Sequence, residues 1–296
     1  MSIIPSGDFR PKITTATLLE KKLRGEPITA LTAYDYATSR LVDEAGIDLI
    51  LVGDSLAQVV LGYETTLPVT VEEMLHHTRA VRRAVRHALL VADMPYGSYH
   101  VDAAEALRNA ASFMKDAGAE AVKIEGGEKR VGLVHRLVDA EVPVLGHIGL
   151  TPQSIHAMGG YKVQGRDLAG VEQLMRDASA LDRAGVFAIV LEGMPREVAA
   201  MVTSEVRVPT IGIGAGPDCD GQILVLHDIL GLSFGKPAKF VRQYEDVGAA
   251  ITRAVGTYRR DVMEHRYPAE EESYHLPKDV RSSLENIAQR KRAMQK

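Results

Sequence analysis

The sequence predicts an α/β fold, a (β/α)8 TIM barrel, on three observations. A helix-to-strand unit recurs along the chain: "DEAGIDLILVGD" (43–54), "KDAGAEAVKIEGG" (115–127) and "DRAGVFAIVLEGM" (182–194) each run from a polar helix end through Ala-Gly and a β-rich stretch to an acid beside glycine. Five further stretches bounded by turn residues read as strands, eight in all, with amphipathic segments between several of them. The alternation fills residues 27 to about 256, close to the length such a barrel needs. A doubly wound open sheet, built from the same alternation, is the competing architecture.

Taken in order, residues 1–26 form an N-terminal segment with one short helix, "TATLLEKKLRG", placed across the barrel's bottom or at a subunit contact. The catalytic barrel follows over 27–266. Its strands are "PITALTAYD" (27–35), the 43–54 unit, "ALLVADMP" (88–95), the 115–127 unit, "VPVLGHIG" (142–149), the 182–194 unit, "VPTIGIGAG" (208–216) and "QILVLHDIL" (222–230). Gly46, Gly118 and Gly185 stand where helix C-caps need the left-handed conformation. Between strands two and three, Thr70 and Glu73 form a capping-box pattern ahead of the apolar stripe Met74, Leu75, Thr78, Val81 and Val85. Asp102 is placed to cap the next helix. The segment 149–167, "GLTPQSIHAMGGYKVQGRD", is too long and glycine-rich for a plain connector and reads as a mobile active-site loop. Residues 267–296 form a charged C-terminal tail, whose last stretch reads as a surface helix or a frayed end.

Composition narrows the function classes. A 296-residue chain that is 46% hydrophobic and 25% charged buries a large core. A net charge of −4 and a pI near 6.2 give no footprint for nucleic acid. The single cysteine, Cys219, excludes an internal disulfide and a multi-cysteine zinc site. No secretory apolar core and no run long enough to span a bilayer is present, which implies a cytoplasmic protein without a membrane partner.

The chemistry lies in an anomaly. In "AVKIE" (121–125), Lys123 and Glu125 alternate with residues that belong in a buried strand. If Val122 and Ile124 face the helices, both charges point into the barrel mouth, where strand C-termini gather catalytic groups. The other predicted strand ends carry Asp35, Asp54 with Ser55, Asp93, His147, Glu192, and His227 with Asp228. Asp54, Asp93 and Glu125 are hard oxygen donors suited to Mg²⁺, which accepts one or two carboxylates and fills its shell with water and substrate. Each has a plainer reading: Lys123 and Glu125 as a structural ion pair, Asp35, Asp54 or Asp93 as helix caps. Glu192 in "VLEGMP", which partial desolvation among Val190, Leu191 and Met194 would make a usable general base, is equally read as a further ligand or a helix cap. His147 is either a substrate contact or a satisfied core histidine. "IGIGAG" (211–216) offers a weak phosphate-type or close-approach turn. Together these groups point to enolate formation beside a carbonyl, with carbon–carbon bond making or breaking.

Several long motifs then resemble one family. "TAYDYATSRLVDEAGIDLILVGDSLAQVVLGYETTLPVT", "ADMPYGSY", "AVKIEGG", "PVLGHIGLTPQ", "GGYKVQGR", "LEGMP" and "IGIGAGPDCDGQILVLHDILGL" are similar, in order, to ketopantoate hydroxymethyltransferase. The resemblance implies a barrel of the phosphoenolpyruvate/pyruvate type. It further implies transfer of a hydroxymethyl group from 5,10-methylenetetrahydrofolate, the co-substrate, to 3-methyl-2-oxobutanoate. The product is 2-dehydropantoate, made through a Mg²⁺-stabilised enolate in pantothenate biosynthesis. By motif it implies Asp54 and Asp93 on Mg²⁺ with Glu125 completing the set, Asp54, Ser55, Asp93 and Lys123 at the keto acid, His147 in its pocket, and Glu192 as the proton acceptor. It also implies a homo-oligomer, commonly a decamer. A lyase of the same superfamily is the nearest competing enzyme. Those lyases often use a loop cysteine, and Cys219 in "GPDCDG" is poorly placed for that.

Overall fold

The computed structural model describes residues 10–293. The chain separates into two compact units between Glu245 and Asp246. In the first, helix α1 (Thr15–Arg24) precedes eight strands: β1 (Ile28–Thr32), β2 (Leu49–Val52), β3 (Leu89–Asp93), β4 (Ala121–Glu125), β5 (Val144–Gly149), β6 (Ala188–Glu192), β7 (Thr210–Ile213) and β8 (Gly221–Leu224). Every neighbouring pair is parallel, and β8 returns to β1, so the sheet closes as a barrel. The connecting helices are α2 (Tyr36–Glu44), α3 (Leu56–Val59), α4 (Val71–Arg82), α5 (Ala103–Lys115), α6 (Val131–Asp139), α7 (Ile155–Met158), α8 (Leu168–Ala184), α9 (Arg196–Glu205) and α10 (Leu226–Ile229). The second unit contains α11 (Val247–Met263) and α12 (Lys278–Ala293).

Local sequence accounts for most boundaries. Thr70 and Glu73 close a reciprocal capping box on α4, and Asp35 and Asp102 cap α2 and α5 through their side chains. Gly46, Gly118 and Gly185 all sit at positive φ after their helices. One boundary differs from expectation. The apolar stretch 222–230 is a strand only to Leu224, because the Leu226 N–H donates to Thr32 Oγ1 (3.0 Å) and α10 begins there. His227 and Asp228 therefore stand on a short helix, not at a strand end.

Period-two alternation divides the core in two. Val122, Ile124, Ile50 and Leu90 face outward and pack with helix residues such as Met74, Val81 and Phe113. Ile28, Leu49, Leu51, Leu89, Val91, Ala121, Leu145, Ala188, Val190 and Ile211 fill the interior. Leu18 of α1, fully buried, joins this inner cluster at the strands' N-terminal ends, so α1 stoppers the bottom. Three lysines of this segment fasten the plug: Lys12 to Glu120 (2.6 Å), Lys21 to Asp48 (2.7 Å) and Lys22 to Asp220 (2.8 Å). Each of these acids precedes a strand and also accepts a backbone N–H from a neighbouring one, at Leu90, Thr29 and Thr210 respectively. Leu18→Ala is expected to destabilise the protein by about 2–5 kcal/mol, seen as a lower urea midpoint at unchanged m-value.

Candidate active site

The inward positions change from apolar to ionisable toward the strands' C-terminal ends, and strand register brings the ionisable ones side by side. Asp93 is the register partner of Lys123, Glu125 of His147, and Gly149 of Glu192. Asp54 joins from the turn after β2, its backbone N–H donating to Asp93 Oδ2 (2.9 Å). Asp54, Asp93, Lys123, Glu125 and His147 are all buried, and the Glu192 side chain is 16% exposed. The expectation that Lys123 and Glu125 point into the mouth is met, with Val122 and Ile124 facing the helices.

Lys123 Nζ donates to Asp93 Oδ1 and lies 3.9 Å from Glu125 Oε1. Burial alone would favour the neutral amine, but Asp93, Glu125 and Asp54 overcome it and hold the ammonium well above the usual lysine range. His147 lies between two carboxylates, Nδ1 at 3.3 Å from Glu125 Oε1 and Nε2 at 3.2 Å from Glu192 Oε2, within ion-pairing range but off hydrogen-bond alignment. Burial opposes its charge, yet the two flanking acids push its pKa up to about 9, so it is an imidazolium at neutral pH. The same imidazolium outweighs desolvation at Glu125 and draws that carboxyl below its ordinary range. Gly149 at φ +95 makes this corner possible: a Cβ there would lie 2.2 Å from the Glu192 carbonyl oxygen, which accepts the Leu150 N–H (2.8 Å).

Four carboxylates thus face one ammonium and one imidazolium, an excess of negative charge that a dry site does not tolerate. Desolvation first, then repulsion from Asp93 and Glu125, pushes Asp54 up to about 8. Asp93 is raised as well, chiefly by desolvation. A divalent cation would relieve the same excess, and the donors are hard oxygens, so the residues fit Mg²⁺. Among the described residues no group of three or more His, Cys, Asp or Glu side chains is arranged to hold a metal ion by itself. Mg²⁺ needs only one or two carboxylates from the protein when water and substrate fill the rest of its shell.

Other side chains reach the site without a charge to announce them. Gln153, buried in the loop after β5, donates from Nε2 to Asp54 Oδ2 (2.9 Å) and the Met94 carbonyl (3.0 Å). Its Oε1 accepts from the Tyr99 hydroxyl (2.6 Å), and its backbone N–H donates to Glu125 Oε2 (3.0 Å). The Tyr99 hydroxyl in turn accepts the Glu125 N–H (3.1 Å). Both residues belong to sequence motifs noted above, "GLTPQ" and "ADMPYGSY", but nothing in those motifs singles them out. Ser55 shares a hydrogen bond with the buried Tyr34 hydroxyl (2.8 Å). Asp35 is a helix cap, as its plainer reading held; Asp228 lines the cavity wall, and the His227 ring packs 5.4 Å from that of Tyr34. Gln153→Leu removes the donor that fixes Asp54 and leaves the Tyr99 hydroxyl without its acceptor. It is expected to weaken Mn²⁺ binding about 10–100-fold by titration calorimetry, the scale of outer-shell effects on metal sites.

Fold and site together define a barrel of the enzyme kind, with carboxylates, a lysine and a histidine gathered at the C-terminal mouth of its strands. The ketopantoate hydroxymethyltransferase family model matches residues 12–270, and the chain belongs to that family. A 3-methyl-2-oxobutanoate hydroxymethyltransferase of Koribacter versatilis (strain Ellin345) is 69% identical over 293 residues, covering 99% of each chain. One from Thermoanaerobacter sp. (strain X514) is 52% identical over 267 residues, covering 90% of this chain and 97% of its own. The first extends the likeness through the C-terminal segment beyond the family match. Among solved structures, phosphonopyruvate hydrolase in complex with oxalate and Mg²⁺ aligns at TM-score 0.57 and 17% identity over 95% of this chain and 97% of its own. A 2,3-dimethylmalate lyase of the PEP mutase/isocitrate lyase superfamily aligns at 0.54 and 14% over 93% and 98%. These structural likenesses show the fold, an eight-stranded barrel.

Proposed function

We propose that this chain transfers a hydroxymethyl group from 5,10-methylenetetrahydrofolate to 3-methyl-2-oxobutanoate, giving 2-dehydropantoate for pantothenate biosynthesis. The observation that carries this reading is the meeting of Asp54, Asp93, Lys123 and Glu125 at one mouth of the barrel, with Glu192 held beside His147 on the adjoining wall.

Asp54 and Asp93 are the carboxylates for Mg²⁺, with Glu125 the third member of the set. The bound ion would polarise the 2-oxo group as a Lewis acid and so acidify C3 of the keto acid. Lys123, held as an ammonium, and Ser55 contact the keto acid, and Lys123 offsets negative charge that develops on its oxygen. Glu192 takes the C3 proton. His147 orients the Glu192 carboxylate through Nε2 and braces Glu125 through Nδ1, which makes it a positioning residue in the pocket wall. C3 then attacks the folate-borne methylene to form the new carbon–carbon bond, and hydrolysis breaks the remaining carbon–nitrogen bond, the water oxygen becoming the hydroxyl of the hydroxymethyl group as tetrahydrofolate leaves with the proton on its nitrogen. Purified protein supplied with both substrates, with and without Mg²⁺, tests this by product NMR. Metal-dependent 2-dehydropantoate supports it; cleavage of a larger acid, or silence, overturns it.

We also propose a cytoplasmic homo-oligomer, a decamer by family resemblance. Among the described residues no helix is long and apolar enough to cross a membrane. Helix α11 carries Ile251, Val255, Tyr258 and Val262 at i, i+4, i+7 and i+11, a one-sided apolar stripe of the kind that packs against another surface. Light scattering of the full chain reads its mass.

A further inference from the structure

The cavity that ends on the carboxylate floor encloses about 780 Å³. That is the size of sites for drug-sized ligands and well beyond what a small branched keto acid fills. Besides the ionisable floor, its lining includes two aromatic side chains, Tyr161 and Phe240, which remain 53% and 40% exposed although they wall the same cavity. Each has a lysine as its chain neighbour, Lys162 and Lys239, which also line the cavity; neither has an ion-pair partner among the described residues.

Both rings are placed by the fold. Phe240 lies over Gly214, where a Cβ would come within 2.6 Å of the ring, so the glycine turn after β7 opens the space the ring occupies. Tyr161 rides on the loop after β5, which is tied to the end of β6 by the Gln164 N–H donating to the Gly193 carbonyl (2.9 Å). Its phenol lies within electrostatic reach of Asp54, Glu192 and Glu125. Thr66 supplies a further group: it lines the cavity at 2% exposure, and its Oγ1 has no hydrogen-bond partner among the described residues. A buried hydroxyl left without a partner in a cavity wall is open to a hydrogen bond from a bound molecule or water.

Stacking faces, an unused polar atom and two lysine cations match a flat heteroaromatic ring system with an anionic tail. We propose that the part of the cavity walled by Tyr161 and Phe240 is the site of the folate co-substrate. Its ring system lies against the two aromatic side chains, Thr66 Oγ1 meets a polar edge of the ligand, and Lys162 and Lys239 meet the glutamate carboxylates. The inference rests on the hydroxymethyl-transfer reading and adds the residues that hold the donor.

The test is calorimetric binding of tetrahydrofolate to the full-length protein, with steady-state KM values for both substrates. Phe240→Leu keeps apolar packing over Gly214 and Tyr161→Leu keeps bulk on the loop, and circular dichroism of each verifies folding. Each is expected to weaken tetrahydrofolate binding about tenfold and to raise its KM alike, while KM for the keto acid moves less than about twofold. The double variant Lys162→Met/Lys239→Met is expected to weaken tetrahydrofolate about threefold at low salt, and less at high salt. It should leave 6-methyltetrahydropterin, which lacks the tail, unaffected. Unchanged tetrahydrofolate affinity in the ring variants, or equal rises in both KM values, would overturn the assignment. If the unmodified protein binds no tetrahydrofolate and transfers no hydroxymethyl group, the reaction itself has been misread, a result distinct from a misplaced site.

Discussion

Glu192→Gln is expected to abolish exchange of the C3 hydrogen of 3-methyl-2-oxobutanoate in heavy water, with a loss of about 10²–10⁴-fold. Glutamine keeps the shape of the side chain and can still meet His147 Nε2, which approaches Glu192 Oε2 at 3.2 Å. What it lacks is a basic oxygen. The buried carboxylate floor is untouched, so Mg²⁺-dependent binding of the keto acid should persist while exchange and product formation stop together. Proton NMR of the keto acid in D₂O reads this without any folate, so it isolates proton removal from the transfer that follows. Undiminished exchange would remove Glu192 from the role of base.

Asp54→Asn should divide function from stability. Losing one of the carboxylates proposed for the metal costs several kcal/mol of charge stabilisation, so turnover is expected to fall about 10³-fold or more. The metal-free protein, by contrast, should become more stable. The substituted amide can still accept from Gln153 Nε2 but no longer repels Asp93 and Glu125. The sign with pH follows from linkage. The carboxyl of Asp54 is raised from 3.8 to about 8 on folding, so the folded state holds that proton more tightly. Its contribution favours the folded state in acid and is lost as pH climbs from about 4 through about 8. His147, raised from 6.5 to about 9, loses its own contribution over the upper part of that range in both proteins. The advantage of Asp54→Asn over the unmodified chain should therefore grow between pH 5 and pH 8 and then level, reaching on the order of a few kcal/mol. Thermal unfolding of metal-stripped samples at these pH values measures it. Saturating Mg²⁺ should reverse the order of the two proteins near pH 8, since only the unmodified site binds it well.

Why so much of this was legible in the sequence has a physical explanation. A closed parallel barrel buries both faces of each strand, so a charged residue inside a strand has few places to go. Lys123 and Glu125 therefore announced the mouth by their alternation with Val122 and Ile124. Asp93, His147 and Glu192 followed because strand ends collect at one rim. The eighth strand expected from "QILVLHDIL" overruns the observed one because the stretch stays apolar past Leu224. The hydrogen bond from Leu226 N–H to Thr32 Oγ1 that stops it joins residues far apart in the chain. Gln153 and Tyr99 were invisible for a related reason. They are neutral, and their importance lies in contacts with Asp54, Glu125 and one another that only the closed barrel creates. Thr66 likewise carries no signal until its neighbours fail to satisfy it.

A crystal of the protein grown with Mn²⁺ and 3-methyl-2-oxobutanoate, read by its anomalous difference map, tests the central claim most directly. A single strong peak about 2.0–2.2 Å from carboxylate oxygens of both Asp54 and Asp93, shared with the keto acid's oxygens, is the expected result. A peak elsewhere, or a keto acid bound in this mouth with Lys123 still on Asp93 and no cation beside either aspartate, would contradict it.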